Sequence, residues 1–453
     1  MFAKHAKGEE MKRISRRDFL GKTGKAAAGA GFGLTAARYL RAGVAAQGDA
    51  PNEKILLGLI GCGYRGTGIL RGRSFEEGFF GQPQVGGVAA VCDVDDRNAE
   101  RAAAMVEKQY GKRPRVFKDF RKLLELKEVD VVIVATPDHW HALPFISACE
   151  AGKDIFLEKP LSHNIVEARS MLAAAKKFKR VVQVGTWQRS VQHIVDAIDF
   201  VRAGKLGRIS VCRAWKCGIA GVGREKPSLP PPNLDWDFWL GPAPYTEYRQ
   251  NRCHYQWRWF FEYGTGETGD SGAHMMDLIL LGMGVTSPLE VASYGGKLVC
   301  GEEDDRTTPD TQMVIYKFPD FVMNWEVHVG EPGLDGGSSL AAEFIGQKGW
   351  LIVDRNKYVV GGTEERPITV HKVGNHAGNF LDCIKSRENP RSEIESMYYT
   401  TVMCHLGNIA YRVGRSIQWD ADNGVIVGDE EAMRYPQYQR EYRKPWTLPV
   451  YKL

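Results

Sequence analysis

Across residues 54–186, short apolar runs alternate with longer segments in which apolar positions recur at three- and four-residue spacing. The runs at 54–60, 87–92, 129–135, 154–157 and 181–186 have the length and continuous hydrophobicity of strands buried on both faces. Periodic segments at 98–109 and 142–151, and another ending near residue 203, predict helices packed on those faces. This alternation predicts an α/β fold with a parallel sheet and right-handed crossovers, with ligands lying beyond the carboxyl ends of the strands. From residue 185 the pattern changes. Strand-like runs at 312–318, 321–328, 342–345 and 349–353, with helical segments at 377–385 and 396–412, predict a second domain built on its own sheet. The domains expected are therefore 51–184 and 185–435. An extended arm, rich in Tyr, Arg and Pro, follows over 436–453 and is read as lying on a neighbouring surface, another subunit being one candidate.

Composition narrows the class without changing that layout. The chain has 453 residues, 43% hydrophobic, 25% charged and 10% aromatic, which excludes a disordered, collagenous or disulfide-stapled protein and fits two domains. No run of 18 or more apolar residues exists, so no membrane span is expected. The nine cysteines form no C-x-x-C pair, which argues against a Cys-based zinc site or a disulfide framework.

Net charge is +5, and it is concentrated at one end. Residues 1–46 hold ten Lys/Arg and three Asp/Glu, and the remainder carries 50 basic against 52 acidic residues, a charge of −2. The near-neutral remainder gives no reason to expect a nucleic-acid partner. The run Ser15-Arg16-Arg17-Asp18-Phe19-Leu20-Gly21-Lys22 resembles the twin-arginine export signal. An Ala/Gly-rich stretch follows it, and a small-residue end at Val44-Ala45-Ala46 suits cleavage. The start is either Met1 or Met11. The expectation is a signal peptide over 1–46, recognition by the twin-arginine export machinery, and a periplasmic or otherwise exported mature protein. That route carries folded proteins, so a cofactor can be bound beforehand.

The first strand runs directly into Gly61-Cys62-Gly63-Tyr64-Arg65-Gly66, a G-x-G-x-x-G in the required context of strand, tight turn and helix start. The first glycine permits the turn, the second lets the backbone approach a pyrophosphate, and the third lets helix pack on strand. Asp93 ends the next strand. A carboxylate there accepts from ribose hydroxyls and repels a 2′-phosphate, favouring NAD over NADP. Its distance from the glycines is longer than usual, which predicts an insertion around 73–84. Thr136-Pro137-Asp138-His139-Trp140-His141 and Glu158-Lys159-Pro160 close the next two strands. All four features fall on one edge of the predicted sheet.

These residues, with Asp270-Ser271-Gly272-Ala273-His274, resemble the glucose-fructose oxidoreductase / inositol dehydrogenase / MocA family over residues 53–445. The resemblance implies an N-terminal Rossmann domain, then an α+β domain with an open, mostly antiparallel sheet, an active site between them, and a homo-oligomer, dimer or tetramer. It implies Lys159 as the catalytic lysine, Asp270 as a substrate-orienting carboxylate and His274 as acid/base. The candidate cofactor contacts are Gly61, Gly63, Tyr64, Arg65, Gly66, Asp93, Thr136, Pro137, His141, Glu158, Lys159 and Trp187. Asp138 departs from the family, where many members carry Asn.

The chemistry agrees with the resemblance. Oxidising a carbinol requires a base for the hydroxyl proton and a cation beside the incipient alkoxide; histidine and lysine supply these. If 269–280 is one helix, Asp270 and His274 share a face. Arg189 sits at the domain crossing and faces either the cleft or an interdomain salt bridge. Trp257 is a candidate sugar platform, although most tryptophans are expected in the core. His139 and His141 are read as packing residues, with no metal expected. The function expected is an exported NAD(P)-dependent oxidoreductase of a sugar, polyol or glycoside. The alternatives are an NAD-dependent glycoside hydrolase working by transient oxidation and elimination, and a non-catalytic carbohydrate-binding protein. The resemblance implies that glycosidases of this fold lose the Glu-Lys-Pro lysine, so Lys159 favours net oxidoreduction.

Overall fold

In the computed structural model, which describes residues 54–74, 76–218, 221–328, 338–362 and 374–452, the apolar runs become strands. The expected signal peptide lies outside the described residues. The first sheet contains β1 (Ile55–Ile60), β2 (Val85–Cys92), β3 (Arg115–Phe117), β4 (Val131–Val134), β5 (Asp154–Leu157) and β6 (Val182–Val184) in the order β3-β2-β1-β4-β5-β6, all parallel. This is a doubly wound sheet whose order reverses beside β1, so a crevice opens between the loops after β1 and β4. Helices cover both faces, which is why β4 and β5 are buried throughout. The helix Asp96–Tyr110 is capped by the Asp95 carboxylate and stopped by Gly111 in the left-handed region. The insertion before β2 is a two-residue hairpin, Gly72–Arg73 with Glu76–Glu77, followed by a 3₁₀ turn that buries Phe79.

The second sheet holds β7 (Ile209–Cys217), β8 (Glu290–Gly296), β9 (Thr311–Lys317), β10 (Val322–His328), β11 (Leu340–Gly346), β12 (Gly349–Asp354), β13 (Tyr358–Gly361), β14 (Ile417–Asp420) and β15 (Val425–Ile426). Its order is β13-β12-β11-β7-β10-β9-β8-β14-β15, antiparallel except where β7 meets β10. One face packs on the helices Gly272–Met283 and Ile394–Val413 through a continuous apolar core that includes Met276, Trp325, Phe344 and Met403. Along β9 the residues alternate between buried and partly or fully exposed, as a sheet with one covered face requires. No helix among the described residues is long and apolar enough to cross a membrane.

The arm beyond residue 435 packs on its own chain. Arg440 donates to Glu167 Oε1 at 2.9 Å and to the His139 carbonyl at 2.6 Å, and Tyr442 donates to the same Glu167 oxygen at 2.7 Å. Trp446 stacks on Phe238 and meets Trp140 edge-on. The surface that the arm covers here belongs to its own chain. Buried Glu167 on the helix Ile165–Phe178 needs partners, and the arm supplies them.

Candidate active site

Two cavities meet along the carboxyl edge of the parallel sheet, sharing Gly63, Tyr64, Thr136, Pro137, His254 and Tyr255 in their walls. The glycine loop shapes the junction. Gly61 has φ +90°, and a Cβ there would come within 2.6 Å of the Ala135 carbonyl, so the loops after β1 and β4 touch. A Cβ on Gly66 would strike the Gly61 carbonyl oxygen. A Cβ on Gly63, in contrast, would meet nothing within 4 Å. Gly63 opens on both cavities, and the helix Tyr64–Arg71 begins there with no side-chain cap on its first N–H groups.

Asp93 lines the first, largely apolar cavity. Its Oδ2 accepts from the Cys62 N–H at 2.6 Å and its Oδ1 from the Asp95 N–H at 2.9 Å. Burial pushes this carboxyl up to about 6 against the pull of those two N–H groups. Thr136 Oγ1 is buried without a partner among the described residues, an orphaned hydroxyl in the shared wall. Open space over Gly63, uncapped helix N–H groups, a strand-end carboxylate and a spare hydroxyl together fit a dinucleotide.

The second cavity, of about 570 Å³, contains Lys159, Asp270 and His274 together with Trp187 and Trp257. Lys159 comes from the end of β5. Asp270 closes the helix Gly266–Asp270, and His274 opens Gly272–Met283. The expected single helix is broken at Ser271, yet both side chains still reach one cleft. Lys159 Nζ donates to Asp270 Oδ1 at 2.6 Å, and Arg258 Nε donates to the same oxygen at 3.2 Å. Burial alone would raise the Asp270 carboxyl, but Lys159 and then Arg258 hold it well below the usual carboxylate range. Burial, followed by the charges of Lys159 and Arg355, holds His274 well below the ordinary imidazole value. Its Nδ1 is buried without a partner among the described residues, and its ring meets Trp187 edge-on at 6.2 Å.

Asp138 also faces this cavity, accepting from Thr265 Oγ1 at 3.1 Å. Burial pushes it up to about 8, Lys159 opposing and Asp270 reinforcing. It is therefore a neutral acid near pH 7, with a donor and an acceptor much like the amide of Asn. Arg65 and Glu158 face the cavity as a pair: Arg65 Nε donates to Glu158 Oε1 at 2.5 Å, and its other arm bonds Glu76 from the inserted hairpin. Arg258 lies over the Trp257 ring, 4.3 Å from its centroid, so Trp257 serves as a platform for that cation.

One expected placement is corrected, and one open alternative is decided. His141 does not line either cavity; its Nδ1 lies 2.8 Å from the Pro160 carbonyl and its Nε2 3.0 Å from that of Thr136, so it braces the two loops from behind. Arg189 is buried on Asp277, with Nε to Oδ2 at 2.8 Å and Nη2 to Oδ1 at 2.5 Å, and takes the salt-bridge role. His139 sits 3.0 Å from the Trp239 carbonyl inside an aromatic cluster. Sequence reading missed Glu76, Arg258 and Arg355. Trp257-Arg258-Trp259 was a legible signal for Arg258, whereas nothing local marks the other two.

Residues 55–186 match the oxidoreductase family NAD-binding Rossmann fold, and residues 207–448 match its C-terminal alpha/beta domain. The chain belongs to the GFO/IDH/MocA oxidoreductase family. An alpha-N-acetylgalactosaminidase from Shewanella oneidensis is 29% identical over 211 residues, 44% of this chain and 45% of that protein, so the match spans less than half of either. An aldose-aldose oxidoreductase from Caulobacter crescentus, crystallised with glycerol, superposes with TM-score 0.61 at 19% identity, covering 81% of this chain and 99% of that one. A levoglucosan dehydrogenase in complex with NADH superposes with TM-score 0.60 at 18% identity, over 81% of this chain and 99% of its own. Both share the fold of this GFO/IDH/MocA member.

Proposed function

We propose that this GFO/IDH/MocA protein is an exported oxidoreductase that moves a hydride between NAD and a carbinol or keto carbon of a sugar, polyol or glycoside. The observation that carries this is the convergence of Lys159, Asp270 and His274 in a cavity continuous with the glycine-loop crevice. Gly61, Gly63 and Gly66, with the uncapped helix start, would hold the dinucleotide diphosphate, Asp93 the adenosine ribose, and Thr136 and Pro137 the wall between the cavities. NAD is preferred over NADP because the Asp93 carboxylate repels a 2′-phosphate. When bound, nicotinamide supplies the two-electron hydride acceptor or donor.

The side chains divide the remaining work. His274 is held uncharged, the form that takes the hydroxyl proton. Lys159 places positive charge beside the oxygen that becomes alkoxide. Asp270 takes both cations on Oδ1, which leaves Oδ2 to orient substrate hydroxyls. Aldose-aldose oxidoreductase and levoglucosan dehydrogenase among the structural neighbours support a carbohydrate substrate. Export rests on the Arg16-Arg17 segment, and assembly into a homo-oligomer rests on family membership. Extraction of nicotinamide dinucleotide from the purified mature protein, followed by absorbance assays across sugars and 3-keto sugars, tests the proposal. An empty site that takes up no NAD would overturn it.

One observation favours a second reading, the likeness to an alpha-N-acetylgalactosaminidase. In that reading a hydroxyl is transiently oxidised, the aglycone leaves by elimination, water adds to the unsaturated keto sugar, and the hydride returns to the carbonyl carbon. Release of nitrophenol from nitrophenyl glycosides, with no net change in NADH, is its signature.

A further inference from the structure

Charge in the larger cavity does not balance. Arg65 is matched by Glu76 and Glu158, and Lys159 and Arg258 share Asp270. Burial raises Asp138 to about 8, which weakens it as a countercharge near pH 7. Arg355, in the same wall, has no hydrogen bond or ion pair among the described residues, and its Nε is shielded from solvent. Arg71 and Arg73 in the same wall are exposed to solvent, so among the shielded lining groups Arg355 is the cation left without a carboxylate.

The local structure builds this arginine in without an acid. Arg355 follows β12, and the adjacent Asp354 is engaged elsewhere: its Oδ1 accepts from the Asn356 N–H at 2.7 Å and the Lys357 N–H at 2.8 Å, bracing the turn. The guanidinium carbon lies 5.7 Å from the centroid of the Trp187 ring, whose edge meets His274. Over Trp187, with its Nε shielded, the guanidinium has no carboxylate of its own among the described residues, and its planar fork suits one brought by a ligand.

We propose that Arg355 is an anion subsite, and that the substrate is an acidic sugar whose carboxylate it receives while the reacting carbon lies toward His274 and Lys159. This rests on the oxidoreductase reading of the cleft and names its substrate class. The surplus charge also acts on His274, which it helps to hold uncharged; an anion on Arg355 relieves that repulsion, so the matching substrate raises the basicity of the group that takes its proton. The other source of anionic oxygen in this cavity is the diphosphate of the dinucleotide, and the experiment separates the two.

The full chain, saturated with NADH, is titrated with matched pairs, glucuronate against glucose, galacturonate against galactose and mannuronate against mannose, with binding read by protein fluorescence. The same titrations follow on Arg355→Met and Arg355→Lys, and NADH affinity is measured for all three proteins. The expected result is that the acid of at least one pair binds about tenfold or more tighter than its neutral partner. Arg355→Met abolishes that difference, Arg355→Lys keeps part of it, and NADH affinity stays within about twofold. Acid and neutral members binding equally in every pair, including equally not at all, overturns the proposal. So does a tenfold loss of NADH affinity in Arg355→Met, which assigns the arginine to the diphosphate. Turnover of neutral sugars with no preference for acids defeats this inference and leaves the oxidoreductase reading intact, whereas failure of the wild-type chain to bind NADH removes both.

Discussion

Lys159 bonds Asp270 twice, through the carboxylate Oδ1 at 2.6 Å and the main-chain carbonyl at 2.9 Å, so the end of the parallel sheet and a helix of the second domain are joined at the proposed reacting centre. Removing either side chain leaves the other misplaced. Lys159→Met is expected to lower kcat by about a hundredfold or more while NADH binding is kept. Asp270→Asn should cost a similar factor, and the double variant little more than either alone. Steady-state kinetics of the four proteins check this; fully additive losses would show that the pair does not act as a unit.

A pH dependence follows from Asp138. Its folded-state value of about 8 lies above the ordinary carboxyl value, so the folded chain binds this proton more tightly than the unfolded chain. The associated stability is present at low pH and is lost as pH rises from the unfolded value through about 8, with a slope of at most about 1.4 kcal/mol per pH unit. Asp138→Asn removes that slope. Urea midpoints of wild type and variant at pH 6 and pH 9 give the comparison, with the wild type losing more on going to the higher pH.

The Arg189–Asp277 pair is nearly inaccessible, with side chains 6% and 1% exposed. Arg189→Met leaves Asp277 buried without its cation and should destabilise the chain by about 3–5 kcal/mol. Because neither residue lines the reacting cavity, KM is expected to stay within about twofold at a temperature where the variant is folded. Chemical denaturation and kinetics on one preparation distinguish this from a direct substrate contact.

Two glycines of the loop should respond differently to alanine. Gly66→Ala drives a methyl into the Gly61 carbonyl and is expected to cost several kcal/mol of stability, on the order of an overpacked core. Gly63→Ala meets no protein atom, so stability should hold while NADH affinity falls by about tenfold or more. Thermal melts and NADH titration separate a folding role from a binding one.

The parallel sheet was legible because its strands are buried on both faces and read as unbroken apolar runs; Asp154–Leu157 has the bounds its hydrophobicity implies. The second sheet was harder. Ile209–Cys217 places Arg213 and Lys216 between buried residues, and Glu290–Gly296 ends in glycines, so neither carries a continuous apolar signal. Lys159, Asp270 and His274 were identified by their motif, and the structure brings them into one cavity. Glu76 and Arg355 were not found because their significance lies in what faces them: Glu76 comes from an inserted hairpin, and Arg355 stands out through the lack of a partner. His141 was given a ligand-facing role, and Arg189 was left between the cleft and a salt bridge, because sequence places both near the cleft while their direction is set by buried partners elsewhere in the chain.

The arm that ends on Trp446 and Tyr451 has a temporal consequence. It closes over the helix Ile165–Phe178 and over Trp140, a wall of the proposed adenosine cavity, yet it is synthesised after every strand of the second sheet. The cofactor-binding half is therefore made before the second sheet and completed after it. In a chain proposed to cross a membrane already folded, the dinucleotide site would mature only once translation has passed residue 446, which couples loading of the cofactor to possession of the whole second domain.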